Sequence, residues 1–326
     1  MSKLEVRLLK ETEFNQWDQL VERSDQGTIY HSSKWITTVA KNLHQDYVII
    51  GVFKDFELIG GCSFYIQNKF HFFKVGYTNA PLTRFGGFVI SIPDSKNVRT
   101  SEGREHEIIS AILEKIQALN LFQVNLINSP ALTDIRLLKL HGWRERVYYT
   151  YLLSLDCDIF SSISHEVRKN IRKAQKYGIK VKKEYNPDVY WKLTELTYEK
   201  QNVPVPFQKD YLFNLMEMLI NNNLGEMWIA ETSTGDAVSS AFNIYDSHFA
   251  HGWNAANDPG FKDTGVVSLL LFEIIKDLQS RGFHQFNLTA GNTPHLSKFY
   301  SSFNPRLTHY YGVERTKGIG KLYALI

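Results

Sequence analysis

Hydrophobic and polar positions follow the same succession of patterns in the two halves of the chain. Runs of β-branched and aromatic residues occupy 47–67 in the first half and 227–255 in the second. Turn residues interrupt these runs at 54–55 and at 234–236. Because such runs around short turns are typical of antiparallel hairpins, we predict a β-meander in each half.

An amphipathic helix is predicted downstream of each meander. At 106–119 apolar side chains recur every third or fourth position, and 265–282 repeats that spacing. This spacing places the apolar side chains on one helix face, which can pack against a sheet. A short strand follows each helix, at 122–128 and 283–289, and the dipeptide Asn-Leu occurs in both strands.

The order of the predicted elements indicates an internal duplication. Two further helices precede each meander, and a short helix and an aromatic strand close each half. The halves differ by one long insertion, at 77–103 in the first half. Any α/β chain alternates strands and helices, but shared turn positions favour duplication. We therefore predict an α/β fold with two domains, 1–152 and 153–326, each a mixed, mostly antiparallel sheet flanked by helices.

The composition is that of a globular protein with a large core. Apolar residues make up 43% of the 326 positions, which is enough to fill two domain cores. No apolar stretch has the length of a signal peptide or a membrane span, so we expect a cytoplasmic protein. The two cysteines, Cys62 and Cys157, are too few for a disulfide framework or a zinc site, and we predict no metal.

The positive charge of the chain is local. The net charge is only +3, yet 167–183 carries eight Lys or Arg and no acid. In a helix the like-charged residues four positions apart repel each other, and a bound anion relieves that repulsion. The segment is therefore interpreted either as a binding site for phosphate groups or as a solvated basic face.

Two segments resemble the double-GNAT FemABX-like transferases and the related BioF2-like acetyltransferase domain proteins. ISHEVRKNIRKAQKYGIKV at 163–181 is similar to the basic helix that opens the second domain in that group. LTAGNTPHLSKFYSSFNP at 288–305 is similar to its glycine-rich, aromatic closing segment. The resemblance implies two tandem GNAT (acyl-CoA N-acyltransferase) domains. It also implies transfer of an acyl or aminoacyl group to an amine or sugar of a cell-envelope or polysaccharide precursor.

The resemblance leaves two acyl donors open, acetyl-CoA or another acyl-CoA and aminoacyl-tRNA, and it implies no permanently bound cofactor. The phosphate-binding turn of a standard GNAT domain falls at 261–267, where only Gly265 remains of its glycines. Members that use aminoacyl-tRNA carry a Phe-Lys pair, whereas here Lys298 precedes Phe299. The implied partners are an anionic small-molecule or lipid-linked glycan precursor and tRNA, with the protein working at the inner face of the membrane.

Catalytic residues are expected around the closing segment, because ligands in α/β sheets bind beyond the carboxyl ends of strands. Tyr300 is the expected general acid, and Asn287 and His251 complete the catalytic set. A lone histidine among aromatic residues is also typical of a structural role, and the dipeptides of this loop are common in ordinary turns. The expected substrate-binding residues are Arg84, Arg168, Lys169, Arg172, Lys173, Trp253, Asn254, Thr289, Gly291, Asn292 and Lys298.

The insertion of the first half supplies a further candidate. Its segment 79–87 contains a proline, paired glycines and Arg84, and long loops of this kind often bind ligands or cover a sheet edge. We expect it to form an acceptor wall, with the donor held by the second half. The alternative function is a non-catalytic, degenerate GNAT module that binds an anionic glycan precursor or nucleic acid through the basic helix.

Overall fold

A computed structural model describes residues 4–69, 73–92 and 96–317. The chain divides into two compact units: one runs up to Tyr148 and resumes at His309, and the other is Tyr149–Thr308. The predicted boundary at 152/153 lies close to the first crossing. The last strand, however, belongs to the first unit, whereas the sequence placed it in the second domain. Strand periodicity identifies a strand but does not identify the sheet that it joins.

The first unit has the predicted alternation of helices and strands. Its strands are β1 (Glu5–Leu8), β2 (Asp46–Lys54), β3 (Glu57–Lys69), β4 (Phe73–Tyr77), β5 (Gly87–Ile90) and β6 (Gln123–Ile127). Its helices are α1 (Phe14–Arg23), α2 (Ser33–Leu43), α3 (Val98–Ala118) and α4 (Arg136–Leu140), with 3-10 turns at Glu11–Glu13 and Ile29–His31. Strand β7 (Arg144–Ser154) then carries the chain into the second unit.

The second unit repeats this order of elements. Its helices are α5 (Ile159–Ser162), α6 (His165–Lys176), α7 (Pro187–Glu199), α8 (Lys209–Asn221), α9 (Val266–Ser280) and α10 (Pro294–Ser301), with a 3-10 turn at Pro259–Thr264. Its strands are β8 (Lys180–Lys183), β9 (Gly225–Glu231), β10 (Ala237–Tyr245), β11 (Ala250–Asn257) and β12 (Gln285–Ala290). Strand β13 (Arg306–Thr316) returns the chain to the first unit.

Each unit contains one mixed sheet with a single parallel pair. In the first unit the order is β1-β2-β3-β4-β6-β13, and only β4 and β6 run parallel. In the second unit the order is β7-β12-β11-β10-β9-β8, and only β11 and β12 run parallel. The mixed, mostly antiparallel sheets flanked by helices confirm the predicted fold class.

The helix after each meander forms the centre of a core. Ile108, Ile112 and Ile116 of α3 pack on β2, β3 and β6, and α9 packs in the same way between α6 and the sheet of the second unit. The expected apolar face of 106–119 is therefore buried, although α3 begins eight positions earlier than predicted. Within the insertion, Gly87–Ile90 is not a loop but strand β5, which pairs with Gly60–Ser63 of β3.

Candidate functional site

The amino end of α9 is tightly enclosed by the basic helix. Gly265 precedes α9 with φ +83°, a conformation in which an L-residue with a Cβ is strained. A Cβ at this position would lie 2.2 Å from the carbonyl oxygen of Asn170 in α6. The one remaining glycine of the phosphate turn is thus required for the packing of α6 against α9. The first amide groups of α9 retain the partial positive charge of a helix start.

The structure gives Arg168 a structural contact. Its Nη1 donates hydrogen bonds to the carbonyl oxygens of Phe160, Ser161 and Ile163, at 3.2, 3.1 and 2.7 Å. These carbonyls belong to α5 and to the residue that follows it, so the guanidinium fixes the end of that helix. Arg172 lies 5.9 Å from the ring centroid of Phe160, which limits its freedom in the same place.

The remaining charges of α6 form an exposed basic face. Ser164 caps the helix by accepting from the Val167 amide, and Val167, Ile171 and Ala174 are buried against α9. The opposite side carries Lys169, Arg172, Lys173 and Lys176, all exposed. Within the ranges that the structure describes, none of these four cations forms an ion pair. This face is therefore able to bind phosphate groups.

Strands β11 and β12 pair over a short distance and then separate. Only Ala250 with Phe286 and His251 with Asn287 are in register. The last two residues of β12, Thr289 and Ala290, have φ values of 57° and 51°. Positive φ is rare for residues with a Cβ, and such strain clusters at ligand-binding sites. After His251, the backbone edge of β11 that faces β12 is no longer paired in register with it.

Asn287 and Thr289 stabilise this irregular strand end. Asn287 Oδ1 accepts hydrogen bonds from the Thr150 hydroxyl at 2.6 Å and from the Thr289 amide at 2.9 Å. The Thr289 hydroxyl donates to the Gly252 carbonyl at 3.3 Å. Asn287 is 2% exposed, so its side chain holds the bulge of β12 rather than facing solvent.

Gly291 and Asn292 attach the closing segment to β7. Asn292 Oδ1 accepts from the Tyr149 amide at 2.9 Å, and its Nδ2 donates to the Tyr149 carbonyl at 3.0 Å. A Cβ at Gly291 would lie 2.5 Å from that same carbonyl oxygen. Both residues thus keep the loop close to β7, and Tyr151 adds a 2.7 Å hydroxyl contact to Ser297 in α10.

His251 forms a buried pair with Asp246. Its Nε2 lies 2.7 Å from Asp246 Oδ2, and the two side chains are 1% and 8% exposed. Asp246 also accepts from the amides of His248 and Phe249, at 2.9 and 2.7 Å. Burial opposes ionisation, but His251 and the two amides together hold the pKa of Asp246 below its ordinary value.

Two expected binding residues on β11 differ in exposure. Trp253 is completely buried and makes an edge-to-face contact with Phe242, at 5.3 Å between ring centroids. Asn254 is half-buried, and its Oδ1 accepts from the Ala255 amide at 3.1 Å. Trp253 is therefore a core residue of this unit, and only Asn254 has a surface that solutes reach.

The buried Tyr190 of α7 is influenced by two other phenols, and sequence reasoning identified only one residue of this group, Tyr300. Burial first, and then the phenols of Tyr198 and Tyr300, raise the pKa of Tyr190 well above its ordinary value. Within the described ranges, the buried Tyr190 hydroxyl has no hydrogen-bond partner. Tyr300 is half-buried and neighbouring Lys298 is exposed. The recurrence of Tyr190 and Tyr198 on one face of a predicted helix was the available signal.

The predicted binding residues are divided between the two units. Asn287, Thr289, Gly291 and Asn292 all lie at the end of β12, and His251 is in register with Asn287. Arg84 is exposed and belongs to the first unit.

The first unit has a polar pocket of about 280 Å³ on β3, β4 and β6. It includes Asn79, at the start of the segment expected to bind an acceptor. The other lining residues are Gln67, Lys69, Val75, Tyr77, Gln123 and Asn125. Its mainly neutral amide groups can both donate and accept hydrogen bonds.

Metal clusters and membrane-spanning helices are both absent from the described residues. These residues contain no group of three or more His, Cys, Asp or Glu side chains placed to hold a metal ion. Across the same ranges, no helix is both long and apolar enough to cross a bilayer.

Comparisons with known proteins agree with this geometry. Residues 161–296 match the family model described as an acetyltransferase (GNAT) domain. No curated protein matches the sequence significantly. Among solved structures, FemX shares 14% identity over 99% of both chains, with a TM-score of 0.76.

Two further solved structures share this fold. L-PGS from Bacillus licheniformis has 10% identity over 95% of this chain and 94% of its own, with a TM-score of 0.56. A tandem GNAT protein of the clavulanic acid pathway has 9% identity over 97% and 99%, also with a TM-score of 0.56. The tandem GNAT fold that the sequence resemblance implies is confirmed.

Proposed function

We propose that this protein, which has the FemX-like tandem GNAT fold and a GNAT domain at 161–296, is an acyl- or aminoacyltransferase. Its acceptor is an amine or sugar of a cell-envelope or polysaccharide precursor. The observation that carries the proposal is the separation of β11 from β12 next to their shared helix α9. That gap exposes one backbone edge of β11, along which an extended donor can bind.

The reaction is nucleophilic acyl transfer. The acceptor amine or hydroxyl attacks the carbonyl carbon of the donor, and the bond from that carbon to the donor's sulfur or oxygen breaks. The leaving group takes the Tyr300 hydroxyl proton, and the proton lost by the acceptor passes to solvent, from which Tyr300 is reprotonated. Orientation of the two substrates and one well-placed acid supply most of the rate enhancement.

In this proposal Asn287 and His251 are positioning residues. Both are almost completely buried, and their bonds to Thr150, Thr289 and Asp246 fix the shape of the β11–β12 gap. They act through the backbone that they hold, and only Tyr300 of the predicted catalytic set touches the reacting atoms.

The exposed face of α6 supports a donor that carries phosphate groups. Four cations without acidic partners in the described ranges lie on one side of a helix whose other side packs on α9. Acyl-CoA and aminoacyl-tRNA both carry phosphates, and the tRNA backbone offers many more of them. The structure of the tandem GNAT protein of the clavulanic acid pathway is named as the form without AcCoA, so acetyl-CoA is a compound relevant to that protein. Another solved structure with this fold is a domain of a putative lysylphosphatidylglycerol synthetase from Agrobacterium fabrum, a name that refers to the synthesis of an aminoacylated lipid.

The polar pocket of the first unit supports recognition of a sugar or peptide in the acceptor. Sugar hydroxyls and peptide groups both pair with amide side chains, which donate and accept at once. Asn125→Ala is expected to raise the KM for such an acceptor and to leave kcat unchanged.

A donor experiment tests the proposal. Acetyl-CoA and aminoacyl-tRNA are supplied separately with nucleotide-linked sugar precursors, and transfer is followed by mass spectrometry. Tyr300→Phe should lower kcat about 100-fold, the usual contribution of a general acid. The double change Lys169→Ala with Lys173→Ala should weaken donor binding. If the donor is tRNA, the salt dependence of binding should also fall, by about one unit of slope for each phosphate that the protein no longer binds.

The matched control is Lys192→Ala, which removes an exposed cation from α7 in the same unit. It should leave transfer and donor binding unchanged. If neither donor supports transfer, or if Tyr300→Phe transfers at the normal rate, the proposed reaction is incorrect.

A second candidate is a non-catalytic module that binds a polyanion through α6. It is favoured by the structural bonds of Asn287 and Asn292, which two of the expected substrate-orienting side chains have already formed. It predicts polyanion binding that depends on Lys169 and Lys173 and a cellular phenotype that survives Tyr300→Phe. Loss of the phenotype in Tyr300→Phe would contradict it.

A further inference from the structure

A second pocket of the first unit lies at the carboxyl end of α3. Its volume is about 420 Å³, within the usual range for small-molecule sites. Its apolar wall is formed by Ile116, Leu121 and Val124, which belong to the core of that unit. Apart from Gly142, the remaining lining residues are polar or aromatic: Gln117, His141, Trp143, Arg315, Thr316 and Lys317.

The strand that closes this pocket is basic where its counterpart is apolar. On β13, Arg315 lies two positions after buried Val313 and so on the same face of the strand. In the second unit, Leu153 of β7 matches Arg315, and Leu155, the residue that follows β7, matches Lys317; both leucines are buried in the core. Equivalent backbone hydrogen bonds identify the matching positions of the two units. Lys317 N donates to Phe122 O, and Leu155 N donates to His284 O, both at 2.9 Å.

The carboxyl ends of α9 and α3 also differ: the space is closed under α9 and not under α3. In the second unit Gln279 Nε2 donates to the carbonyls of Leu155 and Cys157, at 2.7 and 2.9 Å, and this closes the space under α9. Gln117 stands at the corresponding place on α3, and within the described ranges its side chain has no such bond. Among the described residues, no side chain of the first unit fills the space that leucine side chains fill in the second unit.

Among the described residues, no Asp or Glu lines the pocket to balance its positive charges. In the same ranges Arg315 forms no ion pair, although it is half-buried. A half-buried cation without a counter-ion is costly, and a bound anion recovers that cost. The carboxyl end of α3 contributes roughly half a negative charge, which Arg315 and Lys317 together outweigh.

Trp143, which lines the pocket, also has a buried neutral donor that is unsatisfied. Trp143 is 4% exposed, and within the described ranges its indole N–H has no hydrogen-bond partner. A buried donor left unpaired costs about 1–3 kcal/mol, which an acceptor atom of a ligand can offset. Phe303, the corresponding aromatic residue after the short helix of the second unit, has no such group.

We propose that this pocket binds a small amphipathic anion, a carboxylate or phosphate on a short apolar chain. The anionic group pairs with Arg315 and Lys317, and the chain lies on Ile116, Leu121 and Val124. The pocket belongs to the first unit and the gap beside α9 to the second, and the proposal does not depend on the proposed transfer reaction.

Isothermal titration of the full chain tests this site. The probes are octanoate and octyl phosphate, with octan-1-ol and octylamine as uncharged and cationic controls. Saturable 1:1 binding of at least one anion is expected, and the stronger of the two identifies the preferred head group. Isotope-labelled methyl groups of Ile116 and Val124 should shift in NMR spectra on binding.

The variants copy the second unit. Arg315→Leu introduces the residue of the matching position and should weaken anion binding about 10-fold or more. Arg315→Gln, which keeps a polar side chain, should weaken it similarly and guards against misfolding of the first variant. Lys41→Leu removes an exposed cation from α2 outside the pocket and should leave affinity unchanged.

Three results would overturn the proposal. They are equal affinity for octan-1-ol and octanoate, unchanged affinity in both Arg315 variants when these melt like the wild type, and shifts confined to residues of the second unit.

Discussion

The carboxyl ends of α3 and α9 are matched positions that the two units have used differently. Under α9 the space is filled by Leu153, Leu155 and Phe303, all buried. Under α3 the corresponding strand presents Arg315 and Lys317 around a pocket. The backbone hydrogen bonds are the same in both places, so the duplicated fold fixes the main chain and leaves the side chains free to diverge.

At the gap between the parallel strands, it is the second unit that carries the candidate ligand-binding features. The second unit has the strained end of β12, the exposed cations of α6 and the interacting phenols of Tyr190, Tyr198 and Tyr300. In the first unit the parallel pair β4–β6 keeps three residue pairs in register. Each unit therefore specialises one end of a common scaffold.

The largest effect on stability is expected when a side chain that fills the space under α9 is removed. Phe303→Ala removes a completely buried ring from the core of the second unit, and the cavity should cost about 3–5 kcal/mol of unfolding free energy. Chemical denaturation monitored by circular dichroism measures the loss. A loss below about 1 kcal/mol would mean that this end is as open as the one under α3.

The next largest effect on stability is expected at the buried pair of His251 and Asp246. Asp246→Ala removes a buried carboxylate with three hydrogen bonds and should cost about 3 kcal/mol at neutral pH. The pKa of Asp246 is lowered on folding, so its stabilisation is complete above the ordinary value of 3.8 and is lost as the pH falls below it. The difference between variant and wild type should therefore narrow in acid.

The exposed pair is the matched control for this prediction. His284 and Asp156 also approach to 2.8 Å, but their side chains are 80% and 63% exposed. Asp156→Ala should leave the denaturation midpoint unchanged at every pH tested, because solvent screens such pairs. Equal effects of the two aspartate variants would contradict the role given to burial.

Two glycines give a smaller contrast. Gly291→Ala places a methyl group against the Tyr149 backbone and should cost about 2 kcal/mol, because the closing segment must move. Gly142→Ala, in the first unit, meets no atom within 4 Å and pays only for its φ of +78°, about 1 kcal/mol. Thermal melting curves of the two variants test this order, and the reverse order would contradict it.

The smallest effect is expected for Trp143→Phe without ligand. The change removes a buried indole N–H that forms no bond within the described ranges, which favours the folded state, and it also leaves a small cavity in the core, which opposes that gain. The two effects are similar in size, so the unfolding free energy should change by less than about 1 kcal/mol. Denaturation with octanoate present should then stabilise the wild type more than the variant. Equal stabilisation would show that the indole does not contact the anion.

Sequence patterns predicted the local features of the fold well. Ser164 caps α6, Gly178 follows it with φ +76°, and the hairpin turn before β10 contains Gly235 with φ +87°. These features depend on neighbouring residues in the sequence. Strand β5 was missed because its four residues lie in a proline- and glycine-rich segment and gain their structure from pairing with β3.

Side-chain roles were harder to predict because they depend on tertiary neighbours. Arg168 belongs to a run of cations, yet its contacts are the carbonyls of α5. Asn287 and Asn292 were expected to orient a substrate, but each is bonded to groups of the second unit that are distant in sequence. The basic face of α6 was predictable, because helical periodicity alone separates its exposed and buried sides.

The exchange of final strands has a consequence for synthesis on the ribosome. The sheet of the first unit includes β13, the last of the described strands, which pairs with β6 through Gly312–Thr316. The strands up to β6 therefore emerge before their partner β13, and the sheet of the first unit is completed only after the second unit has been made. The second unit has all its strands earlier, so the later-translated unit is expected to mature first.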